Sequence, residues 1–373
     1  MIETFVNKPY VRTILDAVPA GNPVLRIVRT LIKAVIFRKR VVGGRRICFE
    51  GIEDVVIQKW IGLGPGPGEV LLETIATAVS PGTESGYFLD LPNFSQPRPY
   101  VPGYSGVGRV VASRTKVFIR GDLVAGILKH SSRNVVSANE LVAVPEGVSP
   151  EEATFVTLGI IACTGITVAG INRGERVVVI GQGIIGQLVN QLARIYGAGE
   201  VIAVARTDSK KMLSLQSGVD SFIALDDSAL DRRKEHGDRI MPRPTWGSEM
   251  SMDVAIDVTG SPPALEMALR MVKPKGTVVL LGSSPGYGEE GIWSRIVSEK
   301  EIVIKGAHIR NLQYEGKTYR SAAGEFLRLL ADKKLKIDHL ITDRYQPEEA
   351  PEIYQRLANG DKTLVGIAID WKG

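Results

Sequence analysis

The sequence predicts a two-part α/β protein, in which a mainly β segment is followed by a parallel sheet that helices cover on both faces. At 373 residues the chain exceeds one ordinary hydrophobic core, so two domains are expected. Residues 47–165 contain short apolar runs separated by glycine and proline. From about residue 166, apolar strands alternate with amphipathic helices, an order typical of a parallel sheet.

The mainly β segment follows the turn sequence at residues 64–68, which alternates glycine and proline. Such dense punctuation is expected of a small barrel or a partly open β domain. The predicted strands are Glu69–Ala78, Gly106–Ala112, Leu123–Leu128 and Val135–Val144.

The second segment predicts repeated strand–helix units, and the final residues return to a strand, a long helix and a last strand. Its predicted strands are Arg176–Gly181, Val201–Ala205, Ser221–Leu225, Asp253–Val258 and Thr277–Gly282. Its predicted helices are Ile184–Tyr196, Ser209–Ser217 and Pro263–Val272, and the C-terminal helix and strand are Ala322–Lys334 and Leu364–Ile369. The polar stretch Asp226–Ser251 predicts a surface insertion.

Composition narrows the class of protein. Two cysteines, Cys48 and Cys163, are too few for a four-thiolate zinc site or a disulfide scaffold, so a reducing, cytoplasmic location is expected. No apolar run is long enough to span a membrane, and the first residues do not resemble a secretory signal. Residues 1–46 carry a balance of +8, which leaves −3 for the remainder. Because the body is slightly acidic, nucleic-acid binding is not expected.

A glycine motif marks the expected ligand site. Residues 181–186 read Gly-Gln-Gly-Ile-Ile-Gly and lie between a predicted strand and a predicted helix. In that position Gly181 permits the tight turn, Gly183 admits a pyrophosphate, and Gly186 allows the helix to pack closely. The N-terminal N–H groups of the helix, starting at Ile184 and Ile185, then meet the anion. We therefore predict a Rossmann dinucleotide site; the alternative is a glycine turn that binds nothing.

The end of the second strand of this unit favours NADP, with NAD as the alternative. NAD sites usually place an acid there for the ribose hydroxyls, but this chain continues with Arg206 and Thr207. A guanidinium can grip a 2′-phosphate, and Lys210 adds charge one turn later. In a shifted register Asp208 would become the ribose acid. Arg206 could also be a solvated surface residue.

Several segments, taken in order, resemble the medium-chain dehydrogenase/reductase superfamily over residues 47–373. They are GPGEVLLETIATAVSPGTES, PYVPGYSGVGRVV, GDLV, FVTLGIIACTGITVA, VVVIGQGIIGQLVNQLAR and VKPKGTVVLLG. The resemblance implies a Rossmann domain, residues 166–307, inserted into a mainly β GroES-like catalytic domain, residues 44–165 plus 308–373. It also implies that Thr164, Gly260 and Gly282 contact the cofactor, and that the protein is a homo-oligomer, a dimer or tetramer.

The zinc-ligand positions of this superfamily are substituted here. The resemblance places Pro81 at the first-cysteine position, Tyr104 and Ser105 at the histidine and glutamate positions, and Ile160 near the third ligand. Proline and isoleucine cannot coordinate a metal, so the site is expected to lack zinc. The motifs SPGTE and GYSGVG are most similar to a zinc-free branch that includes bacteriochlorophyllide dehydrogenases and the oxidoreductase half of two-domain proteins from polysaccharide-type clusters.

Without zinc, side chains must polarise the substrate. Thr83 corresponds to the superfamily's hydroxyl proton relay, and Tyr104 is expected to point into the same cleft and donate to an alkoxide or enolate. Glu84 and His130 are further catalytic candidates. Their alternatives are structural: Glu84 could hold an arginine, and His130 could be a satisfied loop residue. Thr164 could likewise be a helix cap.

Residues 1–43 form a basic extension. Val24–Arg40 can be drawn as a helix whose apolar stripe is flanked by basic side chains. Such a helix packs on the protein or across a dimer, which we favour, or makes peripheral contact with an anionic membrane.

The sequence therefore predicts a zinc-independent NAD(P)-dependent oxidoreductase that acts on a C=O/C–OH group of a small-molecule substrate. Two alternatives stay open, a reductase of an activated C=C bond and a non-catalytic dinucleotide-binding protein.

Overall fold

The computed structural model describes residues 40–225, 251–282 and 291–372, together with residues 27, 30, 31, 33 and 34. Apart from those five residues and Arg40, the predicted helix Val24–Arg40 lies outside the described residues. The predicted insertion Asp226–Ser251 lies outside them too, except for its last residue.

The described strands form a hairpin and two larger sheets. They are β1 (Val41–Gly51), β2 (Asp54–Leu63), β3 (Glu69–Val79), β4 (Gly106–Ser113), β5 (Leu123–Gly126), β6 (Arg133–Ser137), β7 (Leu141–Ala143), β8 (Arg176–Ile180), β9 (Glu200–Ala205), β10 (Ser221–Ala224), β11 (Met252–Asp257), β12 (Val272–Leu280), β13 (Val303–Gly306), β14 (Ile341–Tyr345) and β15 (Gly366–Asp370).

The described helices are α1 (Pro81–Phe88), α2 (Pro150–Ala153), α3 (Val156–Ala169), α4 (Ile184–Ile195), α5 (Lys211–Gln216), α6 (Pro262–Met271), α7 (Gly291–Lys300), α8 (Tyr319–Ala331) and α9 (Ala350–Ala358). Short 3₁₀ turns connect several of them.

A six-stranded sheet has the order β10-β9-β8-β11-β12-β13, and every pairing in it is parallel. Numbered from β8 as the first strand, this is the 3-2-1-4-5-6 order of a doubly wound dinucleotide fold. The order reverses between β8 and β11, so a crevice opens beyond the carboxyl ends of those two strands. The predicted α/β fold class is confirmed.

A seven-stranded sheet is built from both ends of the chain. Its order is β14-β15-β3-β4-β5-β7, and β6 pairs with β3. Because β14 and β15 join strands from the first third of the sequence, the chain returns to this sheet after completing the parallel one. The predicted domain boundaries at residues 44, 166 and 308 stay a prediction.

Helix α3 joins the two sheets through one continuous core. Its side chains are buried almost all round, and they pack with β-sheet residues such as Ala78 and with Val177 of β8. Gly159 makes room for α8, because a Cβ there would lie 2.2 Å from the Phe326 ring. The two walls of the crevice are therefore held at a fixed spacing.

Two predictions about this region were wrong in detail. Residues 47–165 were expected to be mainly β, yet they also contain α1 and most of α3. A helix that is buried on every side shows no amphipathic period, so its apolar run resembles a buried strand. The strand predicted at Val135–Val144 is divided into β6 and β7 by a 3₁₀ turn, which Ser137 caps by accepting a hydrogen bond from the Asn139 N–H.

Candidate active site

The glycine motif forms the turn between β8 and α4. Gly181 has a φ of +99° and its N–H donates to the Val204 carbonyl, so the loop is tied to β9. A Cβ on Gly186 would lie 2.0 Å from the Gly181 carbonyl oxygen. At Gly183, the N-cap of α4, an added Cβ would meet nothing within 4 Å and would instead occupy the crevice. The free N–H groups of α4 at Ile184 and Ile185 therefore open onto space that a pyrophosphate fits.

A second turn, after β11, completes this end of the crevice. The Asp257 carboxylate accepts hydrogen bonds from the Thr259 N–H and hydroxyl, at 2.8 and 2.7 Å, and from the Gly260 N–H at 3.3 Å. A Cβ on Gly282 would lie 2.3 Å from the Gly260 nitrogen, so two backbone segments approach closely. Gly282 lines the crevice. Gly260 shapes the turn, whereas its neighbours Thr259 and Ser261 provide the lining.

Positive charge gathers where β9 ends. Arg206, Thr207 and Lys210 all line the crevice, whereas Asp208 does not. Lys362, which precedes β15, lines it as well. Burial lowers the pKa of Lys210, and the positive charges of Lys362 and Arg206 lower it further. The three cations thus share one pocket.

A cluster of hydroxyl groups lies on the wall formed by the other sheet. Tyr104 forms hydrogen bonds with the Ser80 and Thr83 side chains, and all three residues line the crevice. Burial raises the pKa of the Tyr104 phenol to about 12, and the two hydrogen bonds oppose that shift. Tyr104 is therefore a protonated donor at neutral pH. Ser80 was not predicted from the sequence.

Glu84 and His130 lie behind this wall and do not line the crevice. The His130 ring is fully buried between the Thr77 hydroxyl, 2.7 Å from Nδ1, and the Glu84 carboxylate, 2.9 Å from Nε2. Glu84 also accepts hydrogen bonds from the Ser80 N–H at 3.0 Å and from the Tyr354 hydroxyl at 2.6 Å. The geometry favours neither as a group that touches substrate. It gives both a positioning role, with no arginine involved.

Thr164, predicted beside the cofactor, points elsewhere. Its hydroxyl donates to the Ile160 carbonyl at 2.7 Å, and the residue borders a small separate crevice next to Cys163. Thr157 and Ile161, earlier on the same helix, line the large crevice instead. A sequence match to the helix does not fix which face of α3 meets the ligand.

The positions that correspond to zinc ligands serve other purposes. Pro81 is the first residue of α1. The Ser105 hydroxyl donates to the Thr154 carbonyl at 2.6 Å and accepts from the Thr157 N–H at 3.1 Å. These two hydrogen bonds hold the start of α3 in place. Ile160 is fully buried in the core. Among the described residues, no three or more histidine, cysteine or acidic side chains are grouped to hold a metal.

The whole crevice has a volume of about 2150 Å³ and runs between the two sheets. Within the described part of the chain, its lining contains no aspartate, glutamate or cysteine, and one histidine, His308. Six basic side chains line it: Lys129, Arg206, Lys210, Arg310, Lys317 and Lys362. It exceeds the 300–1,000 Å³ of an ordinary ligand pocket, as a dinucleotide together with a substrate requires.

The comparisons with known proteins find similar dehydrogenases. Residues 185–327 match the family model for zinc-binding dehydrogenases. Sorbitol dehydrogenase 1 of Saccharomyces cerevisiae is 28% identical over 228 residues, which covers 61% of this chain and 60% of that protein. The match to this relative therefore spans only about 60% of its length. L-threonine 3-dehydrogenase of Pyrococcus abyssi is 28% identical over 339 residues, covering 80% of this chain and 90% of that protein.

A solved structure shows the same fold. The structure of a Sinorhizobium meliloti 1021 protein bound to NADP has a TM-score of 0.73 and 21% sequence identity, and the alignment covers 88% of this chain and 99% of that one. At this identity the likeness establishes the fold.

Proposed function

From its similarity to zinc-binding dehydrogenases, and from the crevice described above, we propose that this protein belongs to the medium-chain dehydrogenase/reductase superfamily and is a zinc-independent, NADP-dependent oxidoreductase that reduces a carbonyl group. The observation that carries the proposal is a juxtaposition. A glycine turn of the kind that binds phosphate, on one wall, faces the hydroxyl group of a half-buried tyrosine with two hydroxyl partners on the other.

The cofactor assignment rests on charge. A 2′-phosphate is a dianion that favours several donors, and Arg206, Lys210 and Lys362 supply three cations at the end of β9. An NAD site needs an acceptor for the ribose hydroxyls at the same place. Asp208, which would serve in a shifted register, is exposed and lies outside the crevice lining. These positions support NADP over NAD.

Zinc independence rests on the donor set. Catalytic zinc sites use three protein ligands drawn from cysteine, histidine and carboxylates. The described lining of this crevice offers one histidine and none of the others. Tyr104 and Ser105, which occupy ligand positions, already have hydrogen-bond partners that give each a different role. The residues present do not fit a catalytic zinc ion.

The hydroxyl cluster supplies a proton donor in place of a zinc ion. The chemistry that NADPH provides when bound is a hydride, which is added to the carbonyl carbon and leaves the dinucleotide oxidised. Tyr104 then donates its proton to the carbonyl oxygen as that oxygen becomes an alkoxide. Thr83 and Ser80 are placed to return a proton to the phenolate from solvent. With a pKa of about 12 the phenol is protonated at neutral pH, as a proton donor in carbonyl reduction must be.

Reduction of an activated C=C bond is the rival enzymatic function, and a non-catalytic dinucleotide-binding protein is the rival of another class. The test is NADPH oxidation, followed by absorbance, with matched panels of aldehydes, ketones and enones. Our proposal predicts turnover with saturated carbonyl compounds. Turnover confined to enones would support C=C reduction. NADPH binding without turnover on any compound would support the non-catalytic function.

A further inference from the structure

Lys129 is a cation at the substrate end of the crevice that the proposed reaction does not use. It follows β5, and its side chain is exposed to the crevice. Its Nζ lies 5.3 Å from the centroid of the Tyr100 ring, which also lines the crevice. Within the described residues, the structure gives the ammonium no hydrogen bond or ion pair, so it is available to a ligand in the crevice. Surrounding protein lowers the pKa of Lys129, and the nearby Glu84 charge opposes that shift.

The backbone that carries Lys129 is fixed in place. The Asn134 side chain accepts from the Lys129 N–H at 3.0 Å and donates to its carbonyl at 3.1 Å. The next residue, His130, is clamped between Thr77 and Glu84. Because Glu84 belongs to the same helix as Thr83, this network sets the position of Lys129 relative to the hydroxyl cluster. A surface lysine on a loose loop would have no such support.

This cation is separate from those expected to bind the dinucleotide. Lys129 follows β5 of the seven-stranded sheet, whereas Arg206 and Lys210 follow β9 of the parallel sheet on the other wall. Phosphates bound at the glycine turn and at the end of β9 would therefore leave Lys129 without a counter-ion. No acidic side chain among the described lining residues can supply one.

The surroundings of Lys129 add an apolar surface. The Tyr87 and Tyr100 rings lie 4.9 Å apart between centroids, and Tyr87 and Phe94 lie 5.6 Å apart. All three rings border the crevice. A flat or ring-shaped part of a ligand could pack on these aromatic faces while a charged group meets the ammonium.

We propose that Lys129 binds an anionic group of the substrate, a carboxylate or a phosphate ester, carried on the same molecule as the carbonyl or hydroxyl that reacts at Tyr104. The inference rests on the proposed function for the meaning of "substrate", but the binding it describes can be measured without turnover. A charge-assisted contact of this kind changes affinity by about 10- to 100-fold.

The experiment measures binding to the enzyme saturated with NADPH, by calorimetry, for three probes that share one ring and one alcohol, because an alcohol cannot react with the reduced cofactor. The probes are benzyl alcohol, 4-(hydroxymethyl)benzoate and 4-(hydroxymethyl)phenyl phosphate. We expect one or both charged probes to bind about 10- to 100-fold more tightly than benzyl alcohol, and the better of the two identifies the anion. The preference should weaken as ionic strength rises, because charge attraction is screened.

Variants assign the effect to Lys129. Lys129→Gln should remove the preference for charged probes and leave benzyl alcohol binding nearly unchanged, whereas Lys129→Arg should retain most of it. Lys116→Gln, at an exposed lysine outside the crevice, is the matched control and should behave as wild type. The proposal is overturned if charged probes bind no better than benzyl alcohol, or if the preference survives in Lys129→Gln. Either result would leave NADPH turnover on carbonyl compounds, and hence the proposed function, untouched.

Discussion

In the resemblance drawn from the sequence, Tyr104 stands at a position expected for a metal ligand, and its environment changes what that position can do. A metal polarises a carbonyl through positive charge, whereas a phenol does so by donating a hydrogen bond that becomes a proton transfer. Burial keeps the phenol protonated, with a pKa of about 12. Ser80 and Thr83 orient it through their hydrogen bonds.

Tyr104→Phe removes only that hydroxyl and retains the ring. Turnover in carbonyl reduction should fall by about 10²- to 10⁴-fold, the usual contribution of a general acid, while NADP affinity stays nearly constant. Steady-state kinetics and cofactor titration measure both quantities. Tyr314→Phe, at a tyrosine that is 80% exposed, is the control and should be neutral.

If Thr83 relays a proton to Tyr104, adding Thr83→Val to Tyr104→Phe should lower turnover little further. Unchanged turnover in Tyr104→Phe would remove Tyr104 from the mechanism.

The proposed preference for NADP depends on individual charges at the end of β9. Arg206→Ala should weaken NADP binding by about 1–3 kcal/mol and leave NAD binding nearly unchanged, because only NADP carries the 2′-phosphate. Lys362→Met should act in the same direction. Lys211→Ala removes a neighbouring charge that does not line the crevice, so it serves as the control. Equal losses for NADP and NAD, measured by fluorescence titration, would reject the assignment.

At the scale of elements, the β8–α4 turn depends on close approach of two backbone segments. In Gly186→Ala the new methyl group would lie 2.0 Å from the Gly181 carbonyl oxygen, so α4 must move away from β8. We expect a loss of about 1–3 kcal/mol in the free energy of unfolding, as for other overpacked sites, together with weaker cofactor binding.

The matched control is Gly324→Ala in α8, where the added Cβ meets nothing within 4 Å. There the substitution should stabilise the protein by about 0.5–1 kcal/mol, because alanine is the better helix former. Urea denaturation compares the two variants. Equal stabilities would mean that the turn tolerates a side chain and that our account of its packing is wrong.

The elements that could be predicted from the sequence are those with a local signal. The strands at Arg176–Ile180 and Glu200–Ala205 and the helix at Ile184–Ile195 were predicted to within two residues, because charge and glycine bound them. The β1–β2 hairpin and helix α9 were not identified, and α3 has no polar face to mark it as a helix. The fold class followed from the order of the elements and did not need each boundary.

For the crevice, sequence reasoning identified lining residues that lie within short local motifs, and it missed those that folding brings in from elsewhere in the chain. Gly181, Arg206, Thr83 and Tyr104 all line the crevice as expected. Lys362 reaches the end of β9 from the C-terminal part of the chain, which no spacing rule anticipates. The side chains of Thr164 and His130 make hydrogen bonds away from the crevice. A sequence motif does not specify the direction in which a side chain points.

At the scale of the whole molecule, the crevice combines two sheets, one shared core and a lining without acids in the described residues. Such a lining attracts anionic cofactors and substrates over its full length, whereas it would repel a cationic substrate. No described helix is both long and apolar enough to cross a bilayer. The homo-oligomer, the cytoplasmic location, the absence of nucleic-acid binding and the membrane contact of the basic extension stay predictions, as does resemblance to the zinc-free branch.

The central claim is hydride transfer from NADPH to a carbonyl carbon without a metal. The most direct measurement uses protein that has been treated with a chelator and whose metal content is determined by elemental analysis. This protein is supplied with NADPH deuterated on the transferring face and with a panel of aldehydes, ketones and enones. Mass spectrometry of the products then locates the label. Our account predicts one deuterium on the carbinol carbon, formed at an undiminished rate by protein that contains far less than one zinc per chain. Activity that disappears on chelation and returns with zinc, or label found only at the β-carbon of an enone, would contradict it.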